Sequence, residues 1–250
     1  MATRDDVLRE LGLAPQWQLR TVVPAPDAGA VPDDLAAAPP PATAPDAARE
    51  ARIGELPWDA FAADVDACKA CGLHRARHRS VPGVGDRAAE WLFVGEAPGA
   101  EEDARGEPFV GQAGRLLDNM LTALGLARGR NVYIANVLKC RPPNNRTPEA
   151  AEAAACRPYL ERQVALLRPK LIVALGKSAA SLLLATDATI ASLRGRVHRY
   201  RGVPLVVTYH PAYLLRNLPD KAKAWEDLLL ARRTVAQATQ LDPAKPPSAP

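Results

Sequence analysis

The sequence predicts an α/β protein, a three-layer α/β/α sandwich built around a four-stranded parallel central sheet. Three observations predict it. Four continuous apolar runs of strand length are separated or flanked by segments with helical spacing, and such alternation calls for a parallel sheet covered on both faces. Of the 250 residues, 48% are hydrophobic and 24% charged, enough apolar content for a sizeable core. Polar and Gly/Pro-rich residues follow each apolar run, so they collect at one sheet edge, where open α/β sheets bind ligands.

The strands are Trp91–Val94, Val132–Val137, Leu171–Leu175 and Val203–Thr208. Gly114–Leu126 carries Leu116, Leu117, Met120, Leu121 and Leu124 at helical spacing. Pro148, with Glu149 behind it, opens a helix running towards Leu167. Ser178–Ala185 and Lys221–Ala236 read as two more helices, and a further helix from Pro57 ends near Cys68, before Gly72. Residues 4–13 suit a short helix. From Thr21 to Ala48, 28 residues include 7 Pro and 10 Ala, a composition that cannot bury enough surface to order itself. The expected domains are therefore an N-terminal extension with a disordered linker (1–50), a catalytic-sized body (51–240) and a disordered tail (241–250).

The net charge is +4 and unevenly placed: residues 1–52 hold 5 Arg and 8 acids, leaving 27 bases and 20 acids in the rest. A basic body suits a polyanionic partner, although a merely soluble basic surface explains it equally well. The longest apolar run, Leu171–Leu175, is far short of the ~18 residues of a membrane span. The polar start Met-Ala-Thr-Arg-Asp-Asp leads no apolar signal region, so the cytoplasm is the expected compartment.

The segments after the strands carry the chemistry. Gly95-Glu96-Ala97-Pro98-Gly99 follows the first, Asn136 ends the second, Gly176-Lys177-Ser178 follows the third, and Tyr209-His210 the fourth. Gly176-Lys177-Ser178 resembles the end of a phosphate loop, but position 171 is Leu where that loop needs Gly, which argues against nucleoside triphosphate hydrolysis. Lys177 and Ser178 remain candidates for a phosphate at a helix start. Position 180 is Ala, so G-x-S-x-G fails as well. His210 suits proton transfer or hydrogen-bond donation near neutral pH. The Asn136 amide suits reading a base edge, and Phe109 must pack inward or stack on a ligand. Arg141, in the polar loop Arg141–Arg146, suits a backbone phosphate, or simply belongs to a surface loop.

Cys68 and Cys71 form a C-x2-C pair, with Cys140 and Cys156 farther along. Disulfides are not expected in the cytosol, and four such cysteines suit a metal. Spacing alone leaves tetrahedral zinc and an iron–sulfur cluster open.

Together Gly95–Gly99, Gly106-Glu-Pro-Phe-Val-Gly111, Asn136–Pro143 and His210–Arg216 resemble the family 4 uracil-DNA glycosylases over about residues 57–235. The resemblance implies the sandwich fold and a [4Fe-4S] cluster on Cys68, Cys71, Cys140 and Cys156. It implies Phe109 stacked on a flipped uracil, Asn136 on its Watson–Crick edge, His210 at O2, and the loop from Gly95 to Gly99 lining the pocket. Glu96 is the expected water-activating group. Leu214 or Leu215 is a candidate wedge into the duplex, with core packing the alternative, and Arg216 a candidate phosphate contact. No lysine is clearly placed for Schiff-base chemistry, so a monofunctional enzyme leaving an abasic site in base-excision repair is expected. The expected partner is uracil-containing DNA, single- or double-stranded, with no membrane, and the expected state is a monomer.

Three rivals stand beside this reading. A uracil-DNA-crosslinking relative carries an extra basic loop with a reactive His, whereas Arg141–Pro148 is short and holds none. A zinc module that binds nucleic acid without turnover would show zinc and no colour. A small-molecule α/β enzyme would work without DNA.

Overall fold

A computed structural model describes residues 46–241. The expected helix over residues 4–13, the Pro/Ala-rich stretch up to Pro45 and the tail after Leu241 lie outside the described residues.

All four expected strands form. They are flanked by two short edge strands that the apolar pattern does not reveal. In chain order the strands are β1 (Val84–Gly85), β2 (Trp91–Gly95), β3 (Val132–Asn136), β4 (Leu171–Leu175), β5 (Val197–Tyr200) and β6 (Val203–Thr208). The sheet order is β1-β3-β2-β4-β6-β5. The inner four are parallel, as expected, whereas β1 runs antiparallel to β3 and β5 antiparallel to β6. The four-stranded expectation is thus corrected to a six-stranded mixed sheet. The reason is that an edge strand needs no apolar run. β1 has two residues, and β5 reads Val-His-Arg-Tyr with every residue at least partly exposed. Arg201 and Gly202 join β5 to β6 with both φ angles positive, 50° and 81°, the geometry of a tight hairpin turn matched to strand twist.

Alternate residues divide between two faces, because side chains alternate along a strand. Leu92, Val94, Ala135, Ile172, Ala174, Leu205 and Val207 pack with Leu160, Val164, Ala180 and Leu183. The last four lie on α5 (Ala150–Leu167) and α6 (Lys177–Leu184). Trp91, Phe93, Ile134, Leu171, Val173 and Val206 pack with Leu117, Leu121, Leu228 and Ala231. These lie on α4 (Gln112–Ala123) and α9 (Asp220–Leu241). Three layers result. The other helices are α1 (Ala47–Gly54), α2 (Trp58–Ala67), α3 (Ala100–Arg105), α7 (Ile190–Leu193) and α8 (Pro211–Leu214).

Two boundaries differ from expectation. The α5 helix starts behind Glu149, whose N–H donates to Glu152 at 2.9 Å, so Pro148 precedes the cap instead of sitting in the first turn. More consequentially, α1 begins inside the segment expected to be a disordered linker, and the expected boundary at residue 50 cuts through it. Asp46 caps it by accepting from the Arg49 N–H at 3.1 Å. Ile53, fully buried, packs with Phe61, Val65 and Tyr159, and Arg49 donates to the Ala155 carbonyl at 3.0 Å. Low-complexity composition upstream masks this helix, which Ile53 and Arg49 anchor together with ion pairs from Arg52 to Asp64 and from Glu50 to Arg157.

Candidate active site

The carboxyl ends of the parallel strands bring Gly95, Asn136, Gly176 and His210 to one edge. Gly95 stands directly opposite Asn136 in the register. A methyl on Gly95 would lie 2.4 Å from Asn136 Oδ1 and 2.7 Å from Phe109 Cζ, so only glycine lets the amide and the ring approach here. Asn136 is 2% exposed, and its side-chain amide is bonded to no other described residue. It remains available to a ligand. A buried amide without partners is costly unless something completes it.

Phe109 is held in an unusual pose. Its φ is +56°, a left-handed conformation that costs a bulky residue energy unless its surroundings impose it. The surroundings do so from three sides. Gly114, in the first turn of α4, sits so close that a Cβ there would be 1.7 Å from the Phe109 carbonyl oxygen. Arg128 donates to the Pro108 and Phe109 carbonyls, at 2.9 Å each, and is itself held by Asp118 at 3.1 Å. Glu102 accepts the next N–H, that of Val110, at 3.1 Å. Its other oxygen accepts from the Gly99 N–H, also at 3.1 Å, so one carboxylate ties the two loops of the site together.

The Phe109 and His210 rings face each other with centroids 5.5 Å apart. His210 Nδ1 accepts from the Ala212 N–H at 3.1 Å, which places the proton of a neutral ring on Nε2. Burial pushes its pKa down to about 4, a charge effect from Glu102 opposes this, and one from Arg216 adds to it. At neutral pH the imidazole is therefore an uncharged donor. Gly176, at φ +89°, passes so close that a Cβ there would be 2.9 Å from the His210 Cβ.

Glu96 is half-buried. Burial raises its pKa, and a hydrogen bond from Ser178 partly offsets this. Ser178 is half-buried near Glu96, whereas Lys177 beside it is exposed at the start of α6. Ala97 packs towards Leu73, Leu138 and Cys140, Pro98 is buried, and Gly99 leads into α3. Of the other acids near this loop, Asp103 is 1% exposed and spent on His78, accepting its N–H at 3.0 Å and meeting its ring Nδ1 at 2.6 Å.

Among the candidate DNA contacts, Leu214 is corrected. It is 1% exposed and packs with Tyr209 and Ala224, because α8 turns it inward. Leu215, the next residue, is 40% exposed, and Leu218, which the sequence pattern does not single out, is 60% exposed. Arg216 is exposed on the same segment. Arg141 bonds to Asn145 at 2.7 Å within its own loop.

The C-x2-C pair and the two cysteines far along the chain line one cavity together with His74, Lys139 and Tyr159. None forms a disulfide. Several sulfurs face N–H donors: Arg77 reaches Cys140 at 2.9 Å, the Lys139 N–H reaches Cys156 at 3.2 Å, and Arg49 reaches Cys68 at 3.4 Å. Donors aimed at sulfur are what a set of thiolates holding a metal group needs. Burial raises the pKa of Cys71 and Cys140 and pushes Cys156 up to about 12, so as bare thiols these groups would stay protonated. Among the described residues no three His, Cys, Asp or Glu side chains stand at the spacing of a single-ion site.

Sequence reasoning missed Glu102, Arg128 and Lys139 as supports of the site. The first has a signal in hindsight, an acid three residues after Gly99 at a helix start. Arg128 acts across 19 and 20 residues, and Lys139, three residues from Asn136, ties it to Gln163 24 residues farther on, separations that no local pattern shows.

An α/β/α sandwich with this strand-end constellation defines a class, and residues 82–229 match the family described as the Uracil DNA glycosylase superfamily. The chain is 46% identical over 165 residues to the Type-4 uracil-DNA glycosylase of Archaeoglobus fulgidus, covering 63% of this chain and 82% of that protein. It is likewise 46% identical over 161 residues to the Type-4 enzyme of Thermotoga maritima, with 64% and 83% covered. A Type-5 uracil-DNA glycosylase of Pyrobaculum aerophilum is 36% identical over 155 residues, with 56% and 68% covered. The chain therefore belongs to the uracil-DNA glycosylase superfamily, and within it to the type-4 family.

Proposed function

We propose that the protein excises uracil from DNA, hydrolysing the N1–C1′ bond of a flipped nucleotide and leaving an abasic site for base-excision repair. The observation that carries this is the meeting, at one sheet edge, of an uncommitted Asn136 amide, the constrained Phe109 ring and a neutral His210 with its proton on Nε2.

The residue chemistry fits. Asn136 can donate N–H to uracil O4 and accept from N3–H. Cytosine reverses both groups, so it would leave buried polar groups opposed and unpaired. A base between Phe109 and His210 would need a gap of about 7 Å, twice the aromatic contact distance. The 5.5 Å centroid separation is too short for that, which supports a reading with the base on one face of Phe109 and His210 at its edge. As the glycosidic bond breaks, its electron pair passes to uracil N1 and delocalises onto O2. The Nε2–H donor meets this charge where it develops. The water oxygen bonds C1′ of the oxocarbenium-like sugar. Glu96, whose raised pKa suits a base, orients that water and takes its proton. The departing uracil anion is protonated from solvent.

Cys68, Cys71, Cys140 and Cys156 are the residues that would hold a [4Fe-4S] cluster. Their shared cavity and N–H-lined sulfurs support that fit. Held there, the cluster would tie the segment of Cys68 and Cys71, before β1, to that of Cys140 and Cys156, after β3. The partner is DNA containing uracil, single- or double-stranded, met by the basic body with Lys177, Leu215 and Arg216 on the rim. The protein acts as a monomer in the cytoplasm. Among the described residues no helix is long and apolar enough to cross a membrane.

The test uses an oligonucleotide with a single uracil and its thymine twin. A break at uracil alone, appearing only after alkali, is the expected result. A protein–DNA adduct surviving denaturation would point to the crosslinking relative instead.

A further inference from the structure

Lys139 is a lysine with no solvent to face. It is 1% exposed, and two of the three donors of its ammonium are engaged within the fold. Nζ donates to the Asn136 carbonyl at 2.7 Å and to Gln163 Oε1 at 2.5 Å. Gln163, fully buried on α5, passes the connection on. Its Nε2 donates to the Pro82 carbonyl at 2.7 Å and to the Tyr133 hydroxyl at 3.3 Å. The main chain of Lys139 is fixed as well, its carbonyl accepting from Val81 at 2.8 Å and its N–H donating to Cys156 sulfur at 3.2 Å. Gly83 admits this network closely: a Cβ there would lie 3.0 Å from Gln163 Nε2.

The geometry matters because Asn136 is the last residue of β3. Its side-chain amide has no partner among the described residues, so its aim depends on how firmly its peptide is held. On one side Gly95 holds the ladder register. Past the strand end the chain stays alongside β2, Val137 and Leu138 donating to the Gly95 and Glu96 carbonyls at 2.9 and 3.0 Å, and the Asn136 carbonyl on the other side of the same peptide accepts from Lys139 Nζ. A lysine three residues on reaches back to that carbonyl and across to α5 at once, and neither a shorter nor an apolar side chain spans both.

We infer that Lys139 is a positioning residue for base reading: through Asn136 and Gln163 it fixes the amide that distinguishes uracil from cytosine. The inference rests on the role given to Asn136 above. Lys139 does not touch the base, so it acts through another residue, and its removal should loosen recognition more than DNA association.

The full-length, iron-replete protein tests this with Lys139→Met, which keeps the length and apolar stem. Gln163→Leu serves as the second variant, cutting the same bridge away from the Cys140 peptide should the first fail to fold. Single-turnover release of uracil is measured for each, alone and combined with Asn136→Ala, beside the dissociation constant for undamaged duplex. The expected result is a 10- to 100-fold slower release, DNA affinity within 2-fold of the parent, and less than a 3-fold further loss when Asn136→Ala is already present. Full activity in a folded Lys139→Met and in Gln163→Leu overturns the inference, as do losses that multiply in the double variants. If Asn136→Ala alone releases uracil at the parental rate, the reading of Asn136 fails and the inference with it, an outcome visible before any Lys139 variant is measured.

Discussion

His210 shows how one hydrogen bond decides a chemical role. Because Nδ1 accepts from Ala212, the ring can only offer Nε2–H, and burial keeps it uncharged down to a pKa of about 4. Removing a donor of this kind costs about 10²–10³ in rate, the loss expected for His210→Ala in single-turnover excision. The pH dependence separates a neutral from a cationic imidazole. A depressed pKa leaves the ring neutral from pH 8 down through its ordinary value of 6.5 and protonates it only near 4. In Glu96→Gln, which removes the other half-buried acid, the residual rate is expected to stay flat from pH 8 to about 5. A limb centred near 6.5 would contradict the neutral assignment. Phe109 offers a second case. Base stacking on an aromatic ring is worth about 1–3 kcal/mol, so Phe109→Ala should slow excision by about 10- to 100-fold. Arg128→Met should follow it part of the way, through loss of the two carbonyl bonds that hold the ring's backbone, and should add no further loss once Phe109→Ala is in place.

At the scale of elements, what the sequence reveals depends on whether an element has a pattern of its own. β2, β3 and β4 are buried along their whole length and β6 along its last four residues, and they read as apolar runs, so their positions agree with expectation to within a residue. β1 and β5 owe their existence to a neighbour's free edge and carry no such run. The α1 helix is hidden by the Ala/Pro-rich sequence in front of it and stabilised by distant partners on α5. Leu214 and Leu215 look equivalent as wedges in the sequence. Only the turn of α8 sends the first into the core and leaves the second in solvent. Gly95, Asn136 and His210 are legible because each lies at or just past a strand end, whereas Arg128 supports the site from 19 residues away and Lys139 by a bond that also depends on a buried glutamine of α5. Gly114→Ala tests the packing of α4 on the Phe109 loop. With a Cβ contact of 1.7 Å to a backbone oxygen, relief must come from moving the helix or the loop, and a stability loss of about 1–3 kcal/mol or more is expected in denaturant titration.

For the whole molecule, the cysteine cavity and the sheet edge are joined by short segments: Asn136 leads through Lys139 to Cys140, and Ala97 packs towards the same cysteine. Removing the proposed cluster by chelation under reducing conditions is therefore expected to lower both the melting temperature and the excision rate, and Cys140→Ser is expected to do the same. A chain starting at Asp46 should retain the parental melting temperature. One starting at Ala51 loses the Asp46 cap and the Arg49 contacts, and should melt lower. The most direct test is the release of free base from duplexes carrying one uracil or one cytosine at the same position, by the parent protein and by Asn136→Ala. Uracil release alone is expected from the parent, and the variant is expected to be slower on uracil and to have lost much of its margin over cytosine. No release from folded, iron-replete protein, or an Asn136→Ala variant with parental rate and selectivity, would contradict the proposed function.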